Sequence, residues 1–516
     1  MTTRGTLSAV QPPSPLRPST TPARPLSGLA GVLGISALPR GAVTGVTIDS
    51  RRVERGDLYI AAPGSNAHGA DFAAQAVGAG AAAILTDEAG RTAAEATGVP
   101  VLVVPDPRAV IGSVSRWVYG DPARDLLLIG ATGTSGKTTT AYMLEAGLRA
   151  AGHETGLVGT VEMRVAGKRV PSSLTTPEAC DLYGLFARMR EEGVTAAAME
   201  VSSHALALGR VAGVSFDVAL FTNLSQDHLD FHKDLRDYFE TKARLFKLGH
   251  ARCGVTNIDD AHGRQLKRVA EIPMTTISAT GDPEADWRAE DVRLGADGST
   301  FRVVGPGGVE ADASIALPGP FNVANALGAI VALVEAGIPL QTAVTGVGSL
   351  AGVPGRMERV DAGQDFAAVV DYSHKPGAVE SVLNSLREVT AGELVIVLGC
   401  GGDRDRGKRP LMGEAAARLA DRAVFTSDNP RSEDPLEILA SMLEGAAKVP
   451  EGERAHIVVE PDRRAAIELA VERARPGDVI VVAGKGHEQG QYVAGEVLPF
   501  DDREVVRESI QRRMSR

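Results

Sequence analysis

The stretch "LLLIGATGTSGKTTTAYML", Leu126 to Leu144, constrains the fold more than any other part of the chain. The apolar run "LLLIG" reads as a buried strand, "GATGTSG" as its turn, and "KTTTAYMLEAGLRAAG" as a helix stopped by Gly152. Strand, tight turn and helix in this order bring backbone N–H groups and a helix N-terminus to face an anion. The strict phosphate-loop pattern G-x-x-x-x-G-K-[ST] asks for glycine at Ala131, whereas Gly130 comes one place early and Gly133 two places late. Gly133 and Gly136 still allow close backbone approach, Lys137 adds a mobile positive charge, and the Thr138 hydroxyl suits Mg²⁺. Such a loop fits ATP or GTP without naming a reaction.

A chain of 516 residues has room for about three domains. With 44% hydrophobic and 23% charged residues and 58 glycines, it reads as a turn-rich soluble α/β protein. A net charge of −11 argues against a nucleic-acid surface, which needs clustered Lys and Arg, but leaves room for a local basic pocket. Cys180, Cys253 and Cys400 are too far apart for a zinc knuckle or a redox pair, and their odd number gives no disulfide framework. Buried thiols in a reducing cytoplasm are the expectation. No apolar run reaches the roughly 18 residues of a membrane span. The first 25 residues, rich in Pro, Ser and Thr and lacking a signal-peptide core, read as a disordered arm.

Short apolar runs over residues 26–125, with the alanine-rich "DFAAQAVGAGA", predict a small α/β domain that ends in the linker "YGDPARD". Residues 126–355 follow as a mostly parallel α/β domain, with further strands at "TAAAMEV" and "DVALFTNL". Residues 356–516 repeat one design: "FAAVVDYSHKP", "LVIVLGCGGDRDRGKRP", "RAVFTSDNPRSEDP" and "DVIVVAGKGHEQ" are each an apolar strand ending in a polar loop. Loops at the carboxyl ends of parallel strands share one edge, so the four converge on one site.

Glu200 ends a strand in "MEVSSHALALGR", and Asp227 and His228 follow the next in "TNLSQDHLDFHKD". Taken singly, these are a polar strand end and a structural hydrogen-bonding histidine. Beside the phosphate loop they suit a metal on a nucleoside triphosphate.

"TGTSGKTT", "MEVSSH", "NLSQDHLD", "GPFNVANALGA", "GVPGRME", "DYSHKP" and "GGDRDRGKRPLM", in this order over about residues 40 to 500, resemble the motifs of the Mur ligases. With "DSRRV" early and "DNPR" and "GKGHE" late, the chain resembles the UDP-N-acetylmuramoyl-tripeptide synthetases of that family, the diaminopimelate-adding type. Its glycine spacing is similar to the family's loop, although Ser135 stands where the family usually has Asn. The resemblance implies three α/β domains: a UDP-binding domain, a central ATPase-type parallel sheet and a Rossmann-like C-terminal domain. It also implies the chemistry: ATP converts the D-glutamyl γ-carboxylate of UDP-N-acetylmuramoyl-L-alanyl-D-glutamate to an acyl phosphate, and an amine displaces phosphate.

By the same resemblance, ATP meets Thr132, Gly133, Thr134, Ser135, Gly136, Lys137, Thr138 and Thr139, with Asn322, Asn325, Arg356 and Asp371. Asn322 and Asn325 otherwise read as an N-cap and a core asparagine. Thr138, Glu200, His228 and Lys242 are implied Mg²⁺ ligands, Lys242 as the N-carboxylated side chain and Lys137, Glu200, His228 and Lys242 as the catalytic set. Without the resemblance, Lys242 in "YFETKARLF" is a solvated helix lysine. Ser50, Thr175, Thr176, Ser202 and Arg210 are implied contacts to the UDP-muramoyl dipeptide, and a turn serine is the plain reading of Ser50.

The amine site is expected at Arg404, Asp428, Asn429, Pro430, Arg431, Gly484 and Glu488. Two arginines can take a distal carboxylate and a glutamate its ammonium, which favours diaminopimelate over lysine. A lysine-adding enzyme or a folylpolyglutamate synthetase stays open as an alternative, and a nucleotide-driven switch that forms no amide is a third. The expected setting is cytoplasmic, without nucleic acid or membrane; a monomer is the expected state, though no pattern specifies it.

Overall fold

The computed structural model describes residues 14–36, 38–64, 66–171, 174–295 and 298–516. The chain divides into two compact units, one of Met1–Gly130, Gly152–Ala219 and Arg244–Arg252, the other of Ala131–Ala151, Leu220–Ala243 and Cys253–Arg516. Among the described residues no helix is long and apolar enough to cross a membrane.

In the first unit, strands Gly45–Thr47, Asp57–Ile60, Ala83–Thr86 and Val101–Val103 pair in that order, all parallel. Parallel neighbours need a crossover, and the alanine-rich stretch supplies one as helix Ala73–Ala79. Its small side chains pack with Val53, Tyr59 and Ile84 in one core. Strand Ala196–Glu200 pairs in parallel with Thr155–Val158, which Met163–Val165 and Lys168–Val170 extend as an antiparallel edge. Helix Ala179–Glu191 precedes Ala196–Glu200 in this unit.

The disordered arm expected over residues 1–25 needs correction from Ser14 onward; residues 1–13 lie outside the described residues. Arg17 Nη1 donates to the buried Asp57 carboxylate at 2.8 Å and Nη2 to the Val46 carbonyl at 3.2 Å. The Ser19 N–H donates to Glu191 at 2.8 Å, and Arg24–Pro25 pairs antiparallel with Ala42–Val43. Composition hid this because polar bonds to distant partners, Arg17 to Asp57 foremost, fasten a segment that has no apolar periodicity.

In the second unit, helix Lys137–Ala150 packs against Pro320–Glu335 and Leu340–Gly348. Strands Ala251–Asn257, Met274–Ser278 and Trp287–Gly295 run parallel, and Gly298–Val304 and Glu310–Ile315 add an antiparallel edge. Glu310–Ile315 alternates exposed and buried residues, as a strand with one wet face does.

The C-terminal sheet has the order Glu358–Arg359, Ala367–Asp371, Val479–Ala483, Leu394–Leu398, Arg422–Phe425, His456–Val459, and only the first pairing is antiparallel. Successive side chains enter opposite cores. Leu394, Ile396 and Leu398 join Val379, Leu383 and Met412 on one face, while Val395 and Val397 join Ile467, Val471 and Val506 on the other. Helices on both faces account for the unbroken apolar runs. All four expected strands run parallel, so their polar loops do share one edge.

Candidate active site

In the second unit, the loop between strand Leu127–Thr132 and helix Lys137–Ala150 is held by the segment that follows strand Phe216–Phe221. The Thr134 N–H donates to the Asn223 carbonyl at 2.9 Å, the Ser135 N–H to Asn223 Oδ1 at 3.0 Å, and Thr222 Oγ1 to the Ser135 carbonyl at 2.7 Å. Gly136, at φ +86°, takes the left-handed conformation, and a Cβ there would stand 2.3 Å from Asn325 Oδ1. Only glycine lets the loop lie against that asparagine. Asn325 Nδ2 in turn donates to Asn322 Oδ1 at 3.2 Å and Asn322 Nδ2 to the Pro318 carbonyl at 2.8 Å. The plain N-cap reading of Asn322 is corrected, because Gly319 caps helix Pro320–Glu335.

Lys137 Nζ donates to the carbonyls of Gly133 and Thr134 at 2.9 and 3.0 Å. Lys242 Nζ donates to the same Gly133 carbonyl at 2.8 Å and lies 4.6 Å from the centre of the Tyr238 ring. The solvated reading of Lys242 is wrong: the residue is 1% exposed. Helix Leu235–Ala243 turns it inward together with Tyr238 and Phe239, leaving the helix's charged Arg236 and Glu240 outside. Burial, with Lys137 and Lys375 adding like charge, drives its amine well below the ordinary lysine range.

Asp227 Oδ2 lies 3.0 Å from His228 Nε2 and 2.5 Å from Lys375 Nζ. Burial works against its charged form, but the His228 hydrogen bond and the Lys375 cation outweigh burial and hold the carboxyl far below the usual range. His228 itself sits at φ +54°, rare for a residue with a side chain. Arg356 lies 4.4 Å above the Tyr372 ring and donates from Nη2 to Thr138 Oγ1 at 3.2 Å. Asp371 accepts from the Met357 and Ser373 N–H groups, both at 2.8 Å, so its carboxylate fixes the turn that carries Arg356.

At the C-terminal edge, Asn429 Nδ2 donates to Glu488 Oε2 at 2.8 Å, and Arg431 Nη1 donates to the Gly402 carbonyl at 2.6 Å. Arg404 is exposed, and its side chain and that of Arg431 flank Gly401. Asp428 is buried, and burial pushes its carboxyl up against the pull of Arg463 and Lys485. Gly484, at φ +112°, leaves the space for it, since a Cβ would lie 2.5 Å from Asp428 Oδ2. The structure therefore brings Arg404, Asp428, Asn429, Pro430, Arg431, Gly484 and Glu488 to one edge.

In the first unit, Glu200 accepts from Thr160 through N–H at 2.7 Å and Oγ1 at 3.1 Å, and Thr160 Oγ1 is 3.0 Å from Thr175 Oγ1. Thr176 Oγ1 donates to the Glu200 carbonyl at 2.9 Å, and Ser202 caps helix Ser203–Ala207. Arg210 pairs with Glu178 at 2.8 Å and reaches the Thr176 carbonyl at 3.4 Å. Thr160, Thr175, Thr176, Glu178, Glu200, Ser202 and Arg210 form one bonded network. Ser50 is not in it: its hydroxyl donates to Gln75 at 3.3 Å.

Three family descriptions match this chain: "Mur ligase family, catalytic domain" over residues 42–119, "Mur ligase middle domain" over 131–333, and "Mur ligase, glutamate ligase domain" over 355–486. The chain belongs to the Mur ligase family. It is 60% identical to the UDP-N-acetylmuramoyl-L-alanyl-D-glutamate--2,6-diaminopimelate ligase of Streptomyces avermitilis, over 97% of this chain and 99% of that one. It is 49% identical to the ligase of the same name from Corynebacterium glutamicum, over 95% and 96%. A solved structure of a UDP-N-acetylmuramoyl-L-alanyl-D-glutamate--2,6-diaminopimelate ligase superposes with a TM-score of 0.67 at 34% identity, over 96% of this chain and 99% of the other. The three-part α/β architecture is thus that of a Mur ligase, and Mur ligases depend on ATP.

Sequence reading missed several residues of the site. Thr222, Asn223 and Tyr238 carry the phosphate loop, and nothing in their own spacing marks them. Lys375 and Lys485 stood inside quoted motifs without a role; a lysine between two glycines at a strand end was the available signal for Lys485. Arg463, fully buried, makes two bonds to Asp502 at 2.8 and 2.7 Å and one to the Ala483 carbonyl at 2.9 Å. It fastens the strand end that precedes Gly484.

Proposed function

We propose that this chain is an ATP-dependent amide ligase that joins 2,6-diaminopimelate to UDP-N-acetylmuramoyl-L-alanyl-D-glutamate, a step in making peptidoglycan precursors in the cytoplasm. The observation that carries the reading is the convergence of Arg431, Arg404, Asn429 and Glu488 on one edge. The arginines suit the distal carboxylate of the amine substrate and Glu488 its ammonium. Full-length identity of 60% to a ligase of that name supports it.

The γ-phosphorus of ATP bonds to an oxygen of the D-glutamyl γ-carboxylate as its bond to the bridging oxygen breaks and ADP leaves. The amine nitrogen then attacks the acyl carbon, the carbon–oxygen bond to phosphate breaks, and the amine loses a proton. Lys137 and the N–H groups of the phosphate loop hold the transferring group. Arg356, above Tyr372 and bonded to Thr138, adds positive charge where phosphate charge builds. Thr175, Thr176, Ser202 and Arg210 hold the nucleotide-sugar peptide, the arginine facing its carboxylates.

Mg²⁺, when bound, neutralises phosphate charge during transfer. Among the described residues no group of three or more His, Cys, Asp and Glu is drawn together. A set built on a threonine hydroxyl, a histidine and a modified lysine is of a different kind. Thr138, His228 and Lys242 in the second unit fit that role only if Lys242 carries oxygen, and its depressed amine is suited to taking up CO₂. Among the described residues the Glu200 carboxylate accepts only from Thr160, and it keeps lone pairs for a cation.

Phosphate release from ATP tests the reading, with the UDP-muramoyl dipeptide and meso-diaminopimelate, LL-diaminopimelate or L-lysine in separate reactions. Release with a diaminopimelate isomer is expected. Release with lysine alone contradicts the arginine clamp, and no release with any amine contradicts the ligase reading.

A further inference from the structure

Lys485 is fully buried in the strand-end loop "GKGHE". Its ammonium has three N–H donors, and each has an acceptor: Asn429 Oδ1 at 2.9 Å, Glu488 Oε2 at 3.0 Å and the Gly490 carbonyl at 2.7 Å. Asn429 Oδ1 also accepts the Tyr492 N–H at 3.0 Å. Two donors on that oxygen fix which way the side-chain amide points. Asn429 Nδ2 is thereby turned toward Glu488 Oε2, which takes bonds from both Asn429 and Lys485. Among the described residues nothing bonds the other Glu488 oxygen, and the side chain is 29% exposed.

The hairpin Gly490–Val493 and Glu496–Pro499 completes the frame. Gln491 Nε2 donates to the Asp428 carbonyl at 2.8 Å, the Arg431 N–H to the Tyr492 carbonyl at 2.9 Å, and the Ala494 N–H to the Arg431 carbonyl at 2.7 Å. Those two backbone bonds hold Arg431 at φ +54°, a conformation that side chains other than glycine rarely adopt.

We propose that Lys485 is a positioning residue for amine selection, which orients Asn429 and Glu488 so that one Glu488 oxygen faces the distal ammonium of a diamino dicarboxylic acid while the hairpin presents Arg431 to its carboxylate. The proposal rests on the ligase reading above. Without Lys485, Asn429 Oδ1 keeps one donor and the amide can turn. Glu488 loses its counter-charge and one of the two bonds on Oε2, so its other oxygen is no longer held toward the substrate. A cation that merely filled the core would leave amine selection unchanged when replaced by an uncharged chain of similar length.

The test compares wild type with Lys485→Met. Steady-state kinetics are measured for diaminopimelate, L-lysine, ATP and the UDP-muramoyl dipeptide, and thermal midpoints are recorded alongside. Losing hydrogen bonds to a charged group predicts that KM for diaminopimelate rises about tenfold or more. KM for ATP and for the nucleotide substrate should stay as in wild type, and preference for diaminopimelate over lysine should fall. An unchanged KM for diaminopimelate, or a rise shared equally by all substrates, overturns the proposal. Wild type alone judges the ligase reading: no amide from diaminopimelate sinks that reading, whereas amide formation with an unaffected variant sinks only the role of Lys485. If the Met variant fails to fold, Lys485→Gln decides, because it returns a donor to Asn429 without charge. A raised KM for diaminopimelate in the folded Gln variant supports the proposal, and a wild-type value refutes it.

Discussion

Lys242 and Lys485 are both fully buried, yet their surroundings are opposite. Lys485 meets a carboxylate and two further oxygen acceptors, enough for every proton of an ammonium. Among the described residues Lys242 has one carbonyl and an aromatic ring, and the like charges of Lys137 and Lys375 outweigh the opposite charge of Asp227 around it. Burying a charge is tolerated where it is paired and hydrogen-bonded, and otherwise the group gives up its proton. One lysine has an oxygen acceptor for each of its three donors and aims its neighbours. The other has its amine driven by burial toward the neutral form, the form that can attack CO₂. Burial alone does not assign a lysine's role; the count and sign of its partners do.

Lys242→Ala gives the largest expected effect. Removing a group that organises charge in the transition state costs about 1,000-fold in kcat, and added short carboxylates should restore part of it. Loss without rescue would count against the carbamate. Next is Arg17→Ala, which unpairs a buried carboxylate instead of a buried amine. Burial already pushes the Asp57 carboxyl up despite Arg17, so its loss should lower unfolding free energy by about 3 kcal/mol in denaturant titration. A value near zero would mean that the segment from Ser14 is not fastened through this pair.

Arg431→Ala removes the carboxylate partner but not the frame around Lys485. KM for diaminopimelate should rise about 30-fold with KM for ATP unchanged, and an unchanged KM for the amine would break the clamp. The smallest effect is on pH and stability, measured in CO₂-free buffer against Lys242→Met. The amine of Lys242 is depressed in the folded chain from its ordinary value of 10.5. Between the two values the unfolded chain binds the extra proton, so wild type should gain stability over the variant as pH rises toward 10.5, by at most about 1.4 kcal/mol per pH unit. Below the folded value that gain is absent. A flat difference would mean that Lys242 is charged in the fold.

The sequence made the strand-end site legible because four apolar runs ended in dense polar loops, and parallel pairing carries such loops to one edge. The phosphate loop itself was legible because strand, turn and helix follow one another in sequence, although the residues that hold it, Thr222, Asn223 and Tyr238, do not. What stayed hidden depended on partners far along the chain. Lys242 looked like any helix lysine until Gly133, 109 positions away, supplied its acceptor. Arg17 sat in a stretch of Pro, Ser and Thr, and only Asp57 gives it a fixed place. Asn322 lay near a helix start, but the backbone at Gly319 takes the cap and leaves the asparagine to support Asn325.

The contrast between the two buried lysines, Lys242 poised to take up CO₂ and Lys485 fully hydrogen-bonded, is tested most directly by carbon-13 NMR of the protein equilibrated with labelled bicarbonate. A carbamate resonance present in wild type, absent from Lys242→Ala and retained in Lys485→Met is the predicted result. No carbamate resonance in wild type, or one that survives Lys242→Ala and vanishes in Lys485→Met, would contradict it.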